Sequence, residues 1–329
     1  MALSKELMAT TGRRAPGIVV YGGPDMRKTF GIRTLPPPIF MIDMEGGSGN
    51  LLPWTRYVLS FSDDETDTPE TTEITKAERE AAWEFTKDAF TMRSKAYEWK
   101  AESVPPPGPL IDVISIDPLR SEAYPQVWKQ LENFPVELYN SIVVDSLMEF
   151  AVSTQTFQKS RVKGSKGETL EPRALTMQET AAWSPAQERA SILLRMMRSL
   201  RDKGIVVAAT SGEFIEKEYV TTPFAQQKGQ REEPYSVVGS PTMPGRLTTE
   251  IKHLGDIILH ARTSGTNVIW ERARKTITEG SPAFWETKDR FGRLPDYVAP
   301  SYFEVLQYVY GKDATKKLYD EAYKKVGAA

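Results

Sequence analysis

The 329-residue chain has no cysteine, which excludes disulfides, thiolate zinc sites, iron–sulfur clusters and a cysteine nucleophile. Histidine is almost as scarce. His253 and His260 are the only two, too few for a His-rich metal centre, and they argue against a Ser-His-Asp hydrolase. No apolar stretch approaches the length of a membrane span, and the opening residues MALSKELMATTGRRAPG carry no signal-peptide core. These absences lead to the expectation of a soluble cytoplasmic protein without a membrane partner. Neither sign of charge dominates. With 42 basic and 44 acidic residues the formal net charge is −2, which excludes a generally basic nucleic-acid coat but leaves room for a local basic patch. What is present suffices for a packed core: 40% of residues are apolar and 10% aromatic, in a length that suits one large domain or two modest ones.

Short β-branched runs that end in Gly, Asp or Ser are the clearest local pattern. They are Gly17–Tyr21 (GIVVY), Ile39–Asp43 (IFMID), Ser141–Asp145 (SIVVD) and residues 205–210 (IVVAAT), with residues 109–116 (PLIDVISI) a further candidate. Such runs, separated by helical stretches, read as buried parallel strands of a covered sheet. Helices are expected at 122–131, 147–157 and 183–200. In the last of these Trp183, Ala186, Ala190, Leu193, Met197 and Leu200 recur at 3-4-3-4-3 spacing on one face. The alternation implies an α/β layer structure.

Residues 63–73, with six acids and no base, read as a solvated loop. A stripe of Ala82, Phe85, Ala89, Met92, Ala96 and Trp99 then predicts an amphipathic helix over about 76–101, ended by Pro105, Pro106 and Pro107. It packs on its own domain or serves as a partner-binding arm. Residues 212–245 read as a long loop with room for a hairpin, and 255–263 and 266–271 alternate like antiparallel strands. A Lys-rich helix at 312–326 reads as a solvated face. The expected organisation is a core of residues 1–60 and 109–311, an inserted acidic loop and helix at 61–108, and a C-terminal helix at 312–329.

The segment VVYGGPDMRKTF resembles the phosphate-loop pattern G-x-x-x-x-G-K-S/T. Gly22 and Gly23 open the turn, Lys28 is placed for β/γ-phosphate oxygens, and Thr29 offers a hydroxyl to Mg²⁺. Arg27 departs from the pattern, because it stands where the second glycine belongs; its side chain crowds the loop, and a positive φ there is strained. A strand before the loop and a helix after it place the anion at a helix N-terminus. Two further carboxylates follow strands. Glu45, just past Ile39–Asp43, is the candidate to orient or deprotonate an attacking water. Asp145, ending SIVVD, is the candidate acid that holds Mg²⁺. The simpler readings are a solvated turn for Glu45 and a strand-end helix cap for Asp145. Thr210 and Ser211 form a polar strand tip within reach of a γ-phosphate.

The order of GGPDMRKT, MIDMEGG, IVVDSLMEF, VVAATSGEF and ETKDRFGRLP resembles the RecA-like phage ATPases, including the Sak-type single-strand-annealing proteins. The resemblance covers about residues 15–60 and 110–300. It implies a RecA-like P-loop core with a mostly parallel central sheet covered by helices, an inserted helix and a C-terminal antiparallel extension. It also implies ATP and Mg²⁺ as cofactors, a homo-oligomer, phage or host recombination partners, and action on single-stranded DNA in host cytoplasm. By that resemblance Lys28 and Thr29 hold phosphate and metal, Glu45 is the catalytic carboxylate, and Asp145 is the second-motif acid. Lys288 and Arg290 resemble cations that reach a nucleotide, including one bound by a neighbouring subunit; a surface ion-pair turn is the plainer reading of both. The positions that face DNA in such proteins fall at about 158–173 and 212–244. The first carries Lys159, Arg161, Lys163, Lys166 and Arg173, suited to phosphate contacts or simply to a solvated loop. The second carries Phe214, Tyr219, Phe224 and Tyr235 for stacking, with acids that offset its basic residues.

Two other readings compete. One is a nucleotide-binding fold with weak or no hydrolysis that serves as a structural or assembly component, favoured by Arg27 and the near-neutral charge. The other, a small-metabolite kinase, is disfavoured because no lid-like arginine cluster is evident.

Overall fold

The computed structural model describes residues 14–61, 69–96, 106–120, 122–161, 180–219, 234–241, 247–265, 267–272 and 283–328. Its centre is a large mixed sheet. Strands β1 (Gly17–Tyr21), β2 (Ile39–Asp43), β3 (Thr55–Ser60), β5 (Ile111–Ser115), β6 (Ser141–Asp145), β7 (Val206–Ser211) and β10 (Ile257–Ser264) lie parallel in the order β10-β1-β7-β6-β2-β5-β3. The expected β-branched runs account for five of the seven, and their near-continuous apolar sequence follows from burial on both faces.

Antiparallel strands extend both edges. At one, β4 (Glu70–Glu73) pairs with β3, so the end of the segment expected to be a loop is an exposed edge strand. Its sequence ETTE has no apolar alternation to announce it; pairing with TRYVLS supplies its backbone partners. Residues 62–68 of that segment lie outside the described residues. At the other edge, β11 (Asn267–Glu271) and β13 (Lys288–Asp289) pair antiparallel with β10, and β14 (Tyr297–Val298) with β11. This edge is the antiparallel extension. The hairpin expected within 212–245 is β8 (Glu213–Tyr219) against β9 (Pro234–Pro241), joined by β12 (Ala283–Trp285) in a separate small sheet.

Helices cover both faces. One face of the large sheet buries Val19, Tyr21, Ile42, Val144 and Val207 against α3 (Ala123–Glu132), α4 (Leu147–Arg161), α5 (Thr180–Asp202) and α6 (Leu247–Leu254). Ala186, Ala190, Leu193, Met197 and Leu200 of the expected stripe are all buried there; Trp183 lies outside the described side chains. The opposite face buries Ile18, Val20, Met41 and Ala208 beneath the short α1 (Lys28–Gly31), a 3-10 turn at Ile32–Thr34, α7 (Tyr302–Tyr310) and α8 (Lys312–Ala328). Helix α8 is therefore not simply a solvated face: Thr315, Leu318, Tyr319 and Ala322 are buried, and the Tyr319 hydroxyl donates to the Thr34 carbonyl.

The inserted helix α2 (Lys76–Ala96) begins with a capping box, in which Thr75 Oγ1 accepts Glu78 N–H at 3.2 Å and Glu78 Oε2 accepts Thr75 N–H at 2.7 Å. It meets the body through Arg79, which donates to the Thr55 carbonyl at 3.4 Å, and Trp83, whose ring meets Trp54 edge-on at 5.9 Å. Of the expected stripe, Ala82 is half-buried and Phe85 is 90% exposed, while the side chains of Ala89, Met92, Ala96 and Trp99 lie outside the described residues. Residues 97–105 lie outside the described residues. None of the described helices is long and apolar enough to cross a membrane.

Candidate nucleotide site

Four strands bring their carboxyl ends together at one edge. Register places Asp43 of β2 beside Asp145 of β6, Val144 beside Ala209 of β7, and Ser211 of β7 beside Tyr21 of β1. The turns leaving these strands hold most of the candidate residues, because in an open α/β sheet the carboxyl edge is where polar side chains converge.

The loop after β1 turns tightly. A Cβ on Gly22 would stand 2.3 Å from the Ala261 carbonyl oxygen, so only glycine passes there. Among the described residues nothing lies within 4 Å of a Cβ placed on Gly23. Asp25 (φ 62°) and Arg27 (φ 56°, ψ 24°) are both left-handed. Arg27 thus adopts the backbone conformation for which glycine is the ordinary residue, at a cost of about 1–2 kcal/mol. Lys28 Nζ folds back into the loop and donates to the carbonyls of Gly22 (2.8 Å) and Gly23 (2.7 Å). Burial pulls its ammonium below the ordinary lysine range, while the carboxylates of Asp145, Glu45, Glu213 and Asp25 pull the other way.

The helix that follows is much shorter than expected. α1 has four residues, passes into the 3-10 turn, and stops at Leu35 before Pro36, Pro37 and Pro38, which cannot continue it. A long helix dipole is therefore not part of this site. Attraction of an anion falls to the loop's own N–H groups and Lys28.

Asp145 is the centre of the cluster. Its side chain is buried; Oδ2 accepts the Thr29 hydroxyl at 2.5 Å, and Oδ1 accepts the Thr210 hydroxyl. Burial pushes its pKa up to about 6; the two hydroxyls oppose the rise, and the charges of Glu45 and Asp43 add to it. β7, between β1 and β6, thus supplies Thr210 to the acid. Ser211 is buried beside it, and its carbonyl receives the Gly22 N–H at 3.3 Å.

Glu45 stands exposed on the turn after β2. The Ser146 hydroxyl donates to its Oε1. The turn is shaped by Asp43, whose Oδ1 accepts the N–H groups of Glu45 (3.2 Å), Gly46 (2.9 Å) and Gly47 (3.2 Å), while Oδ2 accepts that of Ser48 (3.0 Å). Gly46 takes φ 73°, and a Cβ on Gly47 would lie 3.1 Å from Thr29 Cγ2 and 3.3 Å from Asp145 Oδ2. The Glu45 turn is consequently pressed against the Thr29–Asp145 pair. Glu149, on the first turn of α4, has its pKa raised by burial and then by the charge of Glu45.

Of the expected residues, the structure brings Gly22, Gly23, Arg27, Lys28, Thr29, Glu45, Asp145 and Ser211 to this edge. Lys288 and Arg290 are elsewhere. β13 pairs Lys288 with Ile258 at the start of β10, the end of the sheet opposite the loop. There Lys288 Nζ donates to the carbonyls of Lys252 (2.5 Å) and Gly255 (2.7 Å), and Arg290 pairs with Asp256 at 3.3 Å, alongside Arg14 and buried Arg201. In this chain both cations tie the α6–β10 corner and do not reach Lys28. Lys159 and Arg161 belong to the last turn of α4, not to a loop; Lys163 and Lys166 lie outside the described residues, as does most of the first segment expected to face DNA. Asp43, Gly47, Ser146 and Glu149 were not singled out as site residues, and Thr210, expected at a polar strand tip facing a phosphate, donates to Asp145. An acid two residues before Glu45 and a Gly-Gly pair after it were the available signals for the first two.

Among the described residues no three His, Cys, Asp or Glu side chains are grouped to hold a metal by themselves. A magnesium ion shared with phosphates would need only one or two protein oxygens, and Thr29 Oγ1 and Asp145, which lie 2.5 Å apart, are of the type that would hold it. No protein-family model matches the chain, and no curated protein matches it.

Proposed function

We propose that the protein binds and hydrolyses ATP with Mg²⁺ at this edge, in a RecA-like arrangement. The observation that carries the reading is the 2.5 Å contact of Thr29 with Asp145, which joins the phosphate loop to a buried acid two strands away. Exposed Glu45 on the adjoining turn adds a carboxylate free to meet solvent. In this reading Lys28 exchanges its two loop carbonyls for phosphate oxygens, and Thr29 and Asp145 hold the metal, which neutralises phosphate charge when bound. Glu45 accepts a proton from the attacking water or orients it. Single-stranded DNA as the polymer acted on, a homo-oligomer and a role in recombination or annealing rest on the sequence resemblance and on the basic residues Lys159, Arg161, Lys163 and Lys166.

The alternative, a nucleotide-binding component with little turnover, is favoured by left-handed Arg27. One set of assays separates the two. Lys28→Ala is expected to abolish Mg-ATP binding, and Glu45→Gln to stop turnover while sparing it. Full affinity in the first variant removes the phosphate-loop assignment. Wild-type protein that binds ATP without turnover, and forms no salt-sensitive complex with single-stranded DNA, establishes the assembly reading instead.

A further inference from the structure

Three carboxylates meet at the carboxyl edge, and they differ in what occupies their oxygens. Asp145 accepts two hydroxyls. Glu45 is exposed and has one oxygen on Ser146. Asp43 is 1% exposed and accepts four successive backbone N–H groups, from Glu45 to Ser48. An ionised carboxylate offers about two lone-pair positions on each oxygen; three N–H groups crowd Oδ1 and one takes Oδ2, so most of what Asp43 can accept is committed to this turn.

We propose that Asp43 is the positioning residue of the site: its buried carboxylate gathers the N–H groups of residues 45–48, setting where Glu45 stands, and the Ser146 hydroxyl then fixes how the Glu45 carboxylate is turned. This inference rests on the reading of Glu45 as the group that meets the attacking water. Gly46 is left-handed, Gly47 brings no side chain, and the 3-10 helix Gly47–Trp54 has no regular α-helical ladder at its start. The N–H groups that such a start leaves unpaired are those Asp43 accepts, by charge-assisted bonds. Asparagine cannot replace it. An amide oxygen can receive the three N–H groups now on Oδ1, but the amide nitrogen then faces the Ser48 N–H, donor against donor. The same turn carries Gly47 against Thr29 and Asp145, so loosening it displaces Glu45 relative to the metal-holding pair.

The test combines hydrogen exchange with kinetics on the full chain. In Asp43→Asn the amides of residues 45–48 are expected to exchange about tenfold faster or more, while those of β2 and β6 keep their protection. The kcat for ATP is expected to fall about tenfold to a hundredfold, with Mg-ATP affinity within about twofold of wild type, as for a displaced catalytic group. Unchanged protection at 45–48 overturns the inference whether or not the wild-type protein turns ATP over. Wild-type protein that binds no ATP defeats the nucleotide reading alone, and the exchange result still judges Asp43. If Asp43→Asn does not fold, Ser146→Ala decides through the same split. A lowered kcat at unchanged affinity supports the inference, and wild-type turnover refutes it.

Discussion

Arg27 holds a left-handed backbone that a glycine would adopt without strain. Replacing it relieves about 1–2 kcal/mol, offset by about 0.5–1 kcal/mol for the greater freedom of an unfolded glycine. Arg27→Gly is therefore expected to raise stability by up to about 1.5 kcal/mol in urea unfolding, and to raise ATP turnover by clearing a long side chain from the loop. Unchanged midpoint and unchanged turnover together would show that the arginine is accommodated without penalty. Asp145 makes a different prediction. Its folded pKa, about 6, lies above that of a free aspartate, so the folded state holds this proton more tightly than the unfolded one. The stability it contributes is present below about pH 4 and disappears as pH rises through 6. Between pH 4 and 7 the nucleotide-free wild type should lose about 2–3 kcal/mol relative to Asp145→Asn, read from paired denaturation curves, because each tenfold difference in proton affinity between the two states is worth about 1.4 kcal/mol. Parallel curves for the two proteins would refute it.

At the level of elements, what could be read in advance was what local chemistry decides. GIVVY, IFMID, SIVVD and IVVAAT are apolar on both faces and became central strands; the 3-4 stripe of 186–200 became a buried helix face. What could not be read was decided by partners distant in sequence. ETTE has no pattern of its own and is a strand because β3 offers it an edge. Lys288 and Arg290 resemble nucleotide-reaching cations in the sequence, yet antiparallel pairing of β13 with β10 carries them to the far end of the sheet. The meeting of residues 22–29, Glu45 and Asp145 at one edge was legible because each ends or follows a recognisable strand; the four backbone contacts of Asp43 were not, because only the folded turn creates them. Helix α2 offers a direct test of the face that packs. Trp83→Ala is expected to cost about 2 kcal/mol through lost contact with Trp54, whereas Phe85→Ala should stay within about 0.5 kcal/mol. The reverse order in thermal unfolding would show that Phe85, and not Trp83, packs on the body.

Over the whole molecule, early and late parts of the chain meet just after the loop of residues 22–29. The Thr34 hydroxyl, just after α1, accepts the Tyr302 N–H at 2.8 Å, and the Thr34 carbonyl accepts the Tyr319 hydroxyl. Trp270 stands so close to Gly31 that a Cβ there would fall 2.7 Å from its ring. With only four α-helical residues after Arg27, the segment that follows Lys28 and Thr29 is braced at Gly31 and Thr34 by β11, α7 and α8 and little by a helix of its own. Truncation after Gly311 is accordingly expected to weaken Mg-ATP affinity about tenfold or more even though no residue of the loop is touched; undiminished affinity in that truncated chain would show that α8 is dispensable to the loop. Linkage makes the dependence run both ways. A ligand that steadies the loop must also steady the tail, so a carboxypeptidase or a spin label at the far terminus becomes a remote gauge of what the pocket holds.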